Sequence, residues 1–257
     1  MTAIRTERRD AVLEITLDRP KANAVDAATS RALGAAFMEL RDDDELRVGL
    51  VTGAGERFFS AGWDLTAAEQ DGPDPDYGPG GFMGLTELFD LHKPVVGAIN
   101  GMAVGGGFEL ALACDLIVAA DHAEFFLPEI AIGIVADAGG VLRLPRRVPR
   151  AVAMDLLLTG RRMPAGEALG WGLVNRVVPA GRLLDEAREL ADGLAQSAPL
   201  ALAAVKEVVA ATEDLDIAAA YAAMWELPAY REMLASDDAR EGREAWVQRR
   251  PPVWRGR

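Results

Sequence analysis

Short apolar runs alternate with stretches of helical period along the first two thirds of the chain. In "AVLEITL", Ala11 to Leu17, the side chains of Leu13, Ile15 and Leu17 share one face of an extended chain, and Asp-Arg-Pro then signals a turn. A strand is predicted there. From about Asp26, Leu33, Phe37 and Leu40 recur at helical spacing. "VGLVTG" and "VVGAI" are continuous apolar runs of the kind that form buried strands, whereas "GLTELFDL", Gly84 to Leu91, reads as a helix stopped before Lys93-Pro94. "GFELALA" reads as a helix and "DLIVAA" as a strand. Such alternation implies βαβ crossovers and a mostly parallel sheet. After about Asn175 to Val178 the pattern becomes helical: Leu183, Ala187 and Leu190, then Leu202, Val205 and Val209, then Ala218, Tyr221 and Trp225. The expected architecture is an α/β core over residues 1–195 and a helical region over 196–257. Between them in character stands Ala67 to Phe82, dense in Gly, Pro and Asp, which predicts a surface loop bordering a site.

Composition narrows the function classes. At 257 residues with half of them hydrophobic, the chain can bury one sizeable core. A net charge of -13 argues against nucleic-acid binding, which needs Lys and Arg to neutralise phosphates. The single cysteine, Cys114, lies in an apolar helical run and is expected to be a buried core thiol. With only His92 and His122 in the chain, Ser60 lacks obvious partners for a serine nucleophile, and no Cys/His cluster points to a metal. The N-terminus shows no basic segment followed by an apolar one and no run is long enough to span a bilayer, so the protein is expected in the cytoplasm.

The chemistry concentrates in "AVGGGFELALACD", Ala103 to Asp115. A phosphate-binding P-loop is excluded because Gly106 is followed by Gly107 and Phe108 rather than by Lys and Ser or Thr. A dinucleotide fingerprint fails as well, since Leu110 stands where its third glycine belongs. Glycines that let the backbone approach a ligand, followed by the free amides of a helix start, can instead hold an oxygen that turns negative during reaction. A second such donor fits "FFSAGWDL", where Ser60-Ala61-Gly62 makes another tight strand exit. Packing alone is the competing account of the glycines, with Glu109 as a capping residue in the first helical turn. A second acid, Glu129, follows Pro128 in "FFLPEIAIGIVADAGG" and is bracketed by Phe126, Leu127, Ile130 and Ile132. A carboxyl group in such a wall has its pKa raised toward the range of acid and base catalysis.

Taken together, "DRPKANAVD", "FFSAGWDL", "NGMAVGGGFELALACDLIVAA", "FLPEIAIGIVADAGGVLRLPR", "LLTGRRMPAGEALGWGLVNRVV" and "SAPLALAAVKE" resemble the enoyl-CoA hydratase/isomerase, or crotonase, family over nearly the whole chain. Trp63 in "SAGWDL", with "GPGGF", "GGFELAL" and the ending "PPVWRGR", is similar to the carnitinyl-CoA dehydratase-like branch. The resemblance implies a ββα spiral core and a helical C-terminal region that builds homotrimers or hexamers. It implies an acyl-CoA thioester substrate whose coenzyme arrives with it, so that no separate cofactor and no metal is needed. The thioester oxygen is implied to lie between the backbone amides of Trp63 and Gly106, with Glu109 and Glu129 as the acid/base pair. Lys21, Ala22 and Ala24, with Ala61, Gly62, Asp64 and Leu65 about the second turn, are implied to line the coenzyme. Arg19 and the C-terminal arginines are basic groups with no assigned contact.

The implied reaction is reversible addition of water to a 2-enoyl-CoA. Asp137 keeps a Δ3,Δ2-enoyl-CoA isomerase open as an alternative, since relatives that shift double bonds place a working aspartate there; a cap on the amides of Ala138 to Gly140 is its structural alternative. Trp63, Tyr77 and Phe82 are candidates for an aromatic wall around a trimethylammonium group, which a carnitinyl substrate carries. An RNA-binding homologue without catalysis is the alternative of a different class, disfavoured by the charge and the glutamate pair.

Overall fold

A computed structural model describes residues 3–67 and 76–257. Its strands are β1 (Ile4–Arg9), β2 (Val12–Leu17), β3 (Val48–Gly53), β4 (Phe58–Ser60), β5 (Val95–Ile99), β6 (Met102–Val104), β7 (Leu116–Ala120), β8 (Glu124–Phe126), β9 (Met163–Pro164) and β10 (Arg176–Val178). Six of them form one sheet in the order β1-β2-β3-β5-β7-β10 and four a second, β4-β6-β8-β9. In the larger sheet only the β1–β2 pair is antiparallel. In the smaller, β4, β6 and β8 run parallel and β9 closes the edge antiparallel. Of the four interior strands of the large sheet, β2 leads into the first helix and the other three hand the chain to a short strand of the small one: β3 to β4, β5 to β6, β7 to β8. Repeating that step with a helical return gives the ββα spiral. Asn100 braces one such corner, its amide donating to Gly55 O at 2.7 Å and its carbonyl accepting from Gly53 N at 3.1 Å.

The helices among the described residues are α1 (Ala27–Asp42), α2 (Gly106–Ala113), α3 (Gly140–Arg147), α4 (Arg150–Thr159), α5 (Ala165–Gly170), α6 (Leu183–Ala195), α7 (Pro199–Thr212), α8 (Ile217–Met224), α9 (Pro228–Ala235) and α10 (Asp237–Gln248). Both faces of the large sheet are covered, as a parallel sheet requires. On one, Leu13, Ile15 and Leu17 pack with Leu33, Phe37 and Leu40 of α1 in the main core. On the other, Val12, Leu50, Val96 and Val118 lie under Leu183, Ala187 and Ala191 of α6. Glu14 is buried on that second face, where Arg188 holds it through two hydrogen bonds of 2.9 and 2.7 Å and Arg9 through one of 2.8 Å. From Pro199 onward the helices bury only Ala204, Asp238 and Ala245 and leave Val205, Val209, Ile217, Tyr221 and Trp225 exposed.

Two expectations meet the structure differently. The predicted loop from Ala67 to Phe82 falls partly on residues 68–75, outside the described residues. Gly84 to Leu91 is not the predicted helix: a 3-10 turn at Phe82–Gly84 leads into further turns. Backbone geometry explains the difference, because Gly81, Met83 and Gly84 all take positive φ, between +63° and +70°, which breaks helical continuity. Gly84 also presses against Gly34 of α1, where a side chain would not fit.

Candidate active site

Three parallel strands of the small sheet end at one edge, so their exits lie side by side. After β4 comes Ala61 to Trp63, after β6 Gly105 and Gly106, after β8 Leu127 to Glu129. Gly105 N donates to Phe126 O at 3.0 Å, which ties the second exit to the third. The first and second exits approach so closely that a Cβ on Gly62 would sit 2.7 Å from Gly106 N. Gly62, at φ +74°, and Gly105, at φ +52°, adopt backbone that glycine tolerates best. Val25 bridges to Trp63 alongside, its N–H donating to Gly62 O at 2.7 Å and its carbonyl accepting from Asp64 N at 2.9 Å. Among the described residues the amides of Trp63 and Gly106 donate to no protein acceptor. Two free donors side by side at a strand exit and a helix start have the chemistry to hold an oxygen that turns negative.

The glutamates flank that turn. Glu109, in the first turn of α2, is 3% exposed and accepts from Gly140 N at 2.8 Å. It therefore points across the site to α3 instead of capping its own helix. Burial, reinforced by the charges of Glu129 and Asp137, pushes its carboxyl up to about 7 despite the Gly140 bond and the opposing Arg143. Glu129 opens the 3-10 turn Glu129–Ile132 from the third exit. A Cβ on Gly105 would overlap its Oε1, while its Oε2 is buried with no hydrogen-bond partner. Burial raises this carboxyl as well. An apolar cavity of about 280 Å³ opens beside Glu129, walled by Leu127, Ile130, Ile134, Val141 and Met154.

The segment expected to line the coenzyme runs beside the first exit. Ala61 N donates to Ala22 O at 2.9 Å, Lys21 is exposed, Ala22 and Ala24 are half-buried, and Leu65 stands open to solvent. Arg19 is committed internally, donating to Asp64 at 2.6 Å, Asp26 at 2.9 Å and Ala24 O at 2.8 Å. Asp64 accordingly braces the Trp63 turn, with its carboxyl held below the usual range by Arg19. Ser60 is buried as a strut, donating to Asn23 O at 2.7 Å and accepting from Gly62 N at 3.1 Å. Cys114 is a core thiol. The Phe82 ring closes over Gly106, where a Cβ would collide with it, and Tyr77 stacks on Phe82 at 4.9 Å between centroids. Trp63 is half-buried and its Nε1 has no partner. Asp137 is exposed, and the Gly140 amide that a cap at this position would use goes to Glu109 instead. The Gly140 anchor and the Phe82 cover were not legible from sequence spacing, since each joins segments far apart in the chain.

Residues 7–257 match the enoyl-CoA hydratase/isomerase family. The chain belongs to that family. A carnitinyl-CoA dehydratase of Salmonella arizonae is 59% identical over 257 residues, covering 99% of this chain and 98% of its own. One of Proteus mirabilis is 60% identical over 252 residues, covering 97% of each. Among solved structures, an enoyl-CoA hydratase from Mycobacterium tuberculosis H37Rv superposes with a TM-score of 0.93 at 41% identity, covering 100% of both chains. Family membership implies an acyl-CoA substrate and makes the protein an enzyme of the hydratase and dehydratase kind, a hydro-lyase. The spiral fold agrees with that of the solved relative throughout. No single helix among the described residues is long and apolar enough to cross a membrane.

Proposed function

We propose that the enzyme interconverts a 2-enoyl-CoA and a 3-hydroxyacyl-CoA by adding or removing water, with crotonobetainyl-CoA and carnitinyl-CoA as the pair that the names of its relatives point to. The observation that carries this reading is two carboxyl groups, from separate elements, set about one glycine turn that also presents free amides. In hydration, one glutamate takes a proton from water as the oxygen attacks the β carbon. The displaced π pair moves onto the thioester oxygen, where the Trp63 and Gly106 amides stabilise the enolate; one such donor is worth about 3–4 kcal/mol. The other glutamate, held protonated by burial, gives its proton to the α carbon as the thioester re-forms. Burial raises both carboxyls, that of Glu109 to about 7, which favours a proton being available at the site near neutral pH, the state this exchange needs.

The coenzyme comes with the substrate, along Lys21, Ala22, Ala24, Ala61, Gly62 and Leu65, and no separate cofactor takes part. The exposed apolar side chains Val205, Val209, Ile217, Tyr221 and Trp225 support a division at about residue 195, with the later helices packing on further copies as a trimer or a dimer of trimers. The setting is cytoplasmic, in keeping with one buried, unpaired thiol.

Loss of the conjugated thioester absorbance on crotonobetainyl-CoA and crotonyl-CoA tests the reaction. Glu109→Gln and Glu129→Gln are each expected to slow it at least about 100-fold. Failure of the native enzyme on both thioesters, or faster conversion of a 3-enoyl-CoA, would overturn the reading. Light scattering of the eluting protein tests the assembly.

A further inference from the structure

Arg143 is a half-buried cation in the first turns of α3 that finds no carboxylate at salt-bridge distance among the described residues. Its guanidinium instead donates to Thr86 O at 2.6 Å and folds back over Gly139, where a Cβ would collide with it. Burial lowers its pKa, so keeping the charge there costs free energy that a surface arginine does not spend. Two structural connections meet at this side chain. Through Thr86 it holds the segment whose Phe82 ring covers Gly106. Through Gly139 it backs the turn whose next amide, that of Gly140, binds Glu109.

From this geometry we infer that Arg143 is a positioning residue: it clamps the Phe82 segment to the Gly139–Gly140 turn and sets the electrostatic field at Glu109. The inference rests on the assignment of Glu109 to proton transfer. Charged groups face the pair from every side. Glu129 and Asp137 act on Glu109 from the loop after β8 and favour its protonated form, while Arg143 opposes them from α3. Arg143 in turn meets Glu87 from the Phe82 segment and Arg146 and Arg147 from its own helix. Losing the Arg143 charge leaves the Gly140 hydrogen bond as the opposing influence on the two acids at Glu109, so its pKa rises. Whichever limb of the pH profile reports Glu109 then moves to higher pH.

The test compares Arg143→Met and Arg143→Lys with the native enzyme. Arg143→Met is expected to move that limb up by about 0.5–1 in pH. It is also expected to lower kcat about tenfold or more, with KM for the CoA thioester changed less than about twofold, because the clamp places reacting groups and does not touch the coenzyme. Arg143→Lys keeps the charge but not the planar fork, so it restores the limb and recovers only part of kcat. A stability loss in both variants with pH profile and kcat unchanged overturns the inference and leaves the hydratase reading standing. Infrared difference spectra against Glu109→Gln read the Glu109 carboxyl directly and work without turnover. An unshifted carboxyl titration in Arg143→Met overturns the electrostatic part on its own, even where hydration itself is absent.

Discussion

Gly62→Ala tests whether the two strand exits act as one oxyanion site. A Cβ at this position would lie 2.7 Å from Gly106 N and 2.6 Å from Val104 O, where ordinary contact begins near 3.4 Å. Both neighbours are backbone, so no rotamer change relieves the overlap, and the exits must part by roughly 0.7 Å. That parting separates the Trp63 amide from the Gly106 amide. Full loss of one donor costs about 3–4 kcal/mol of transition-state stabilisation; partial loosening on this scale is expected to lower kcat about 30- to 100-fold. KM should change little, because the hydrogen bonds at stake strengthen only as the enolate forms. The positive φ at Gly62 adds a separate stability cost of about 1–2 kcal/mol. Gly172→Ala isolates that cost, since Gly172 has φ +76° and nothing within 4 Å of its added Cβ. Steady-state kinetics on crotonyl-CoA and thermal unfolding of both variants separate the two effects. If Gly62→Ala loses stability as the control does but keeps kcat within about twofold of native, the two exits are not the oxyanion site.

Other consequences follow from the same geometry. Glu109 titrates near 7 in the fold against an ordinary 4.5, so between those values the folded chain holds a proton that the unfolded chain has released. Stability drawn from this group is complete below pH 4.5 and is lost as pH rises through 7, by up to about 3 kcal/mol. Melting temperatures of native protein and Glu109→Gln at pH 5 and pH 8 should therefore diverge, with the native protein losing more; parallel changes would contradict the assignment. Asp64→Asn removes the charge that Arg19 grips and is expected to destabilise the protein by about 1–3 kcal/mol while lowering kcat through a loosened Trp63 turn. Equal kcat in the variant would show that the brace serves folding alone. Burial pushes the Cys114 thiol up to about 12, so a thiol reagent should label it only as fast as the protein unfolds. Rapid labelling under native conditions would place Cys114 outside the core.

Local chemistry was readable in the chain because it depends on neighbours in sequence. Alternation located β2, continuous apolar runs located β3, β5 and β7, which are covered on both faces, and helical spacing located α1, α6, α7 and α8. The glycines at 105 to 107 announced a close backbone approach, and Glu109 and Glu129 stood out as acids in apolar surroundings. Elements without that pattern escaped. β1, "IRTERR", is an exposed polar edge strand whose one strand neighbour among the described residues is β2, so nothing in its own composition marks it. Gly84 to Leu91 carried a helical pattern that glycine-dependent backbone geometry at Gly81 and Gly84 overrode.

The sequence by itself determined which groups are available for the proposed chemistry, two acids and two glycine-bearing turns, and a chain pattern that demands a parallel sheet. Only the tertiary structure decided how they are held. Parallel strands β4, β6 and β8 end on the same side, and that common edge is what brings Trp63, Gly106 and Glu129 together. Glu109 meets the Gly140 amide across 31 residues, Arg19 meets Asp64 across 45, and Arg143 meets Thr86 across 57. No local pattern encodes a contact at such separations, because each partner is chosen by where the whole chain has already folded.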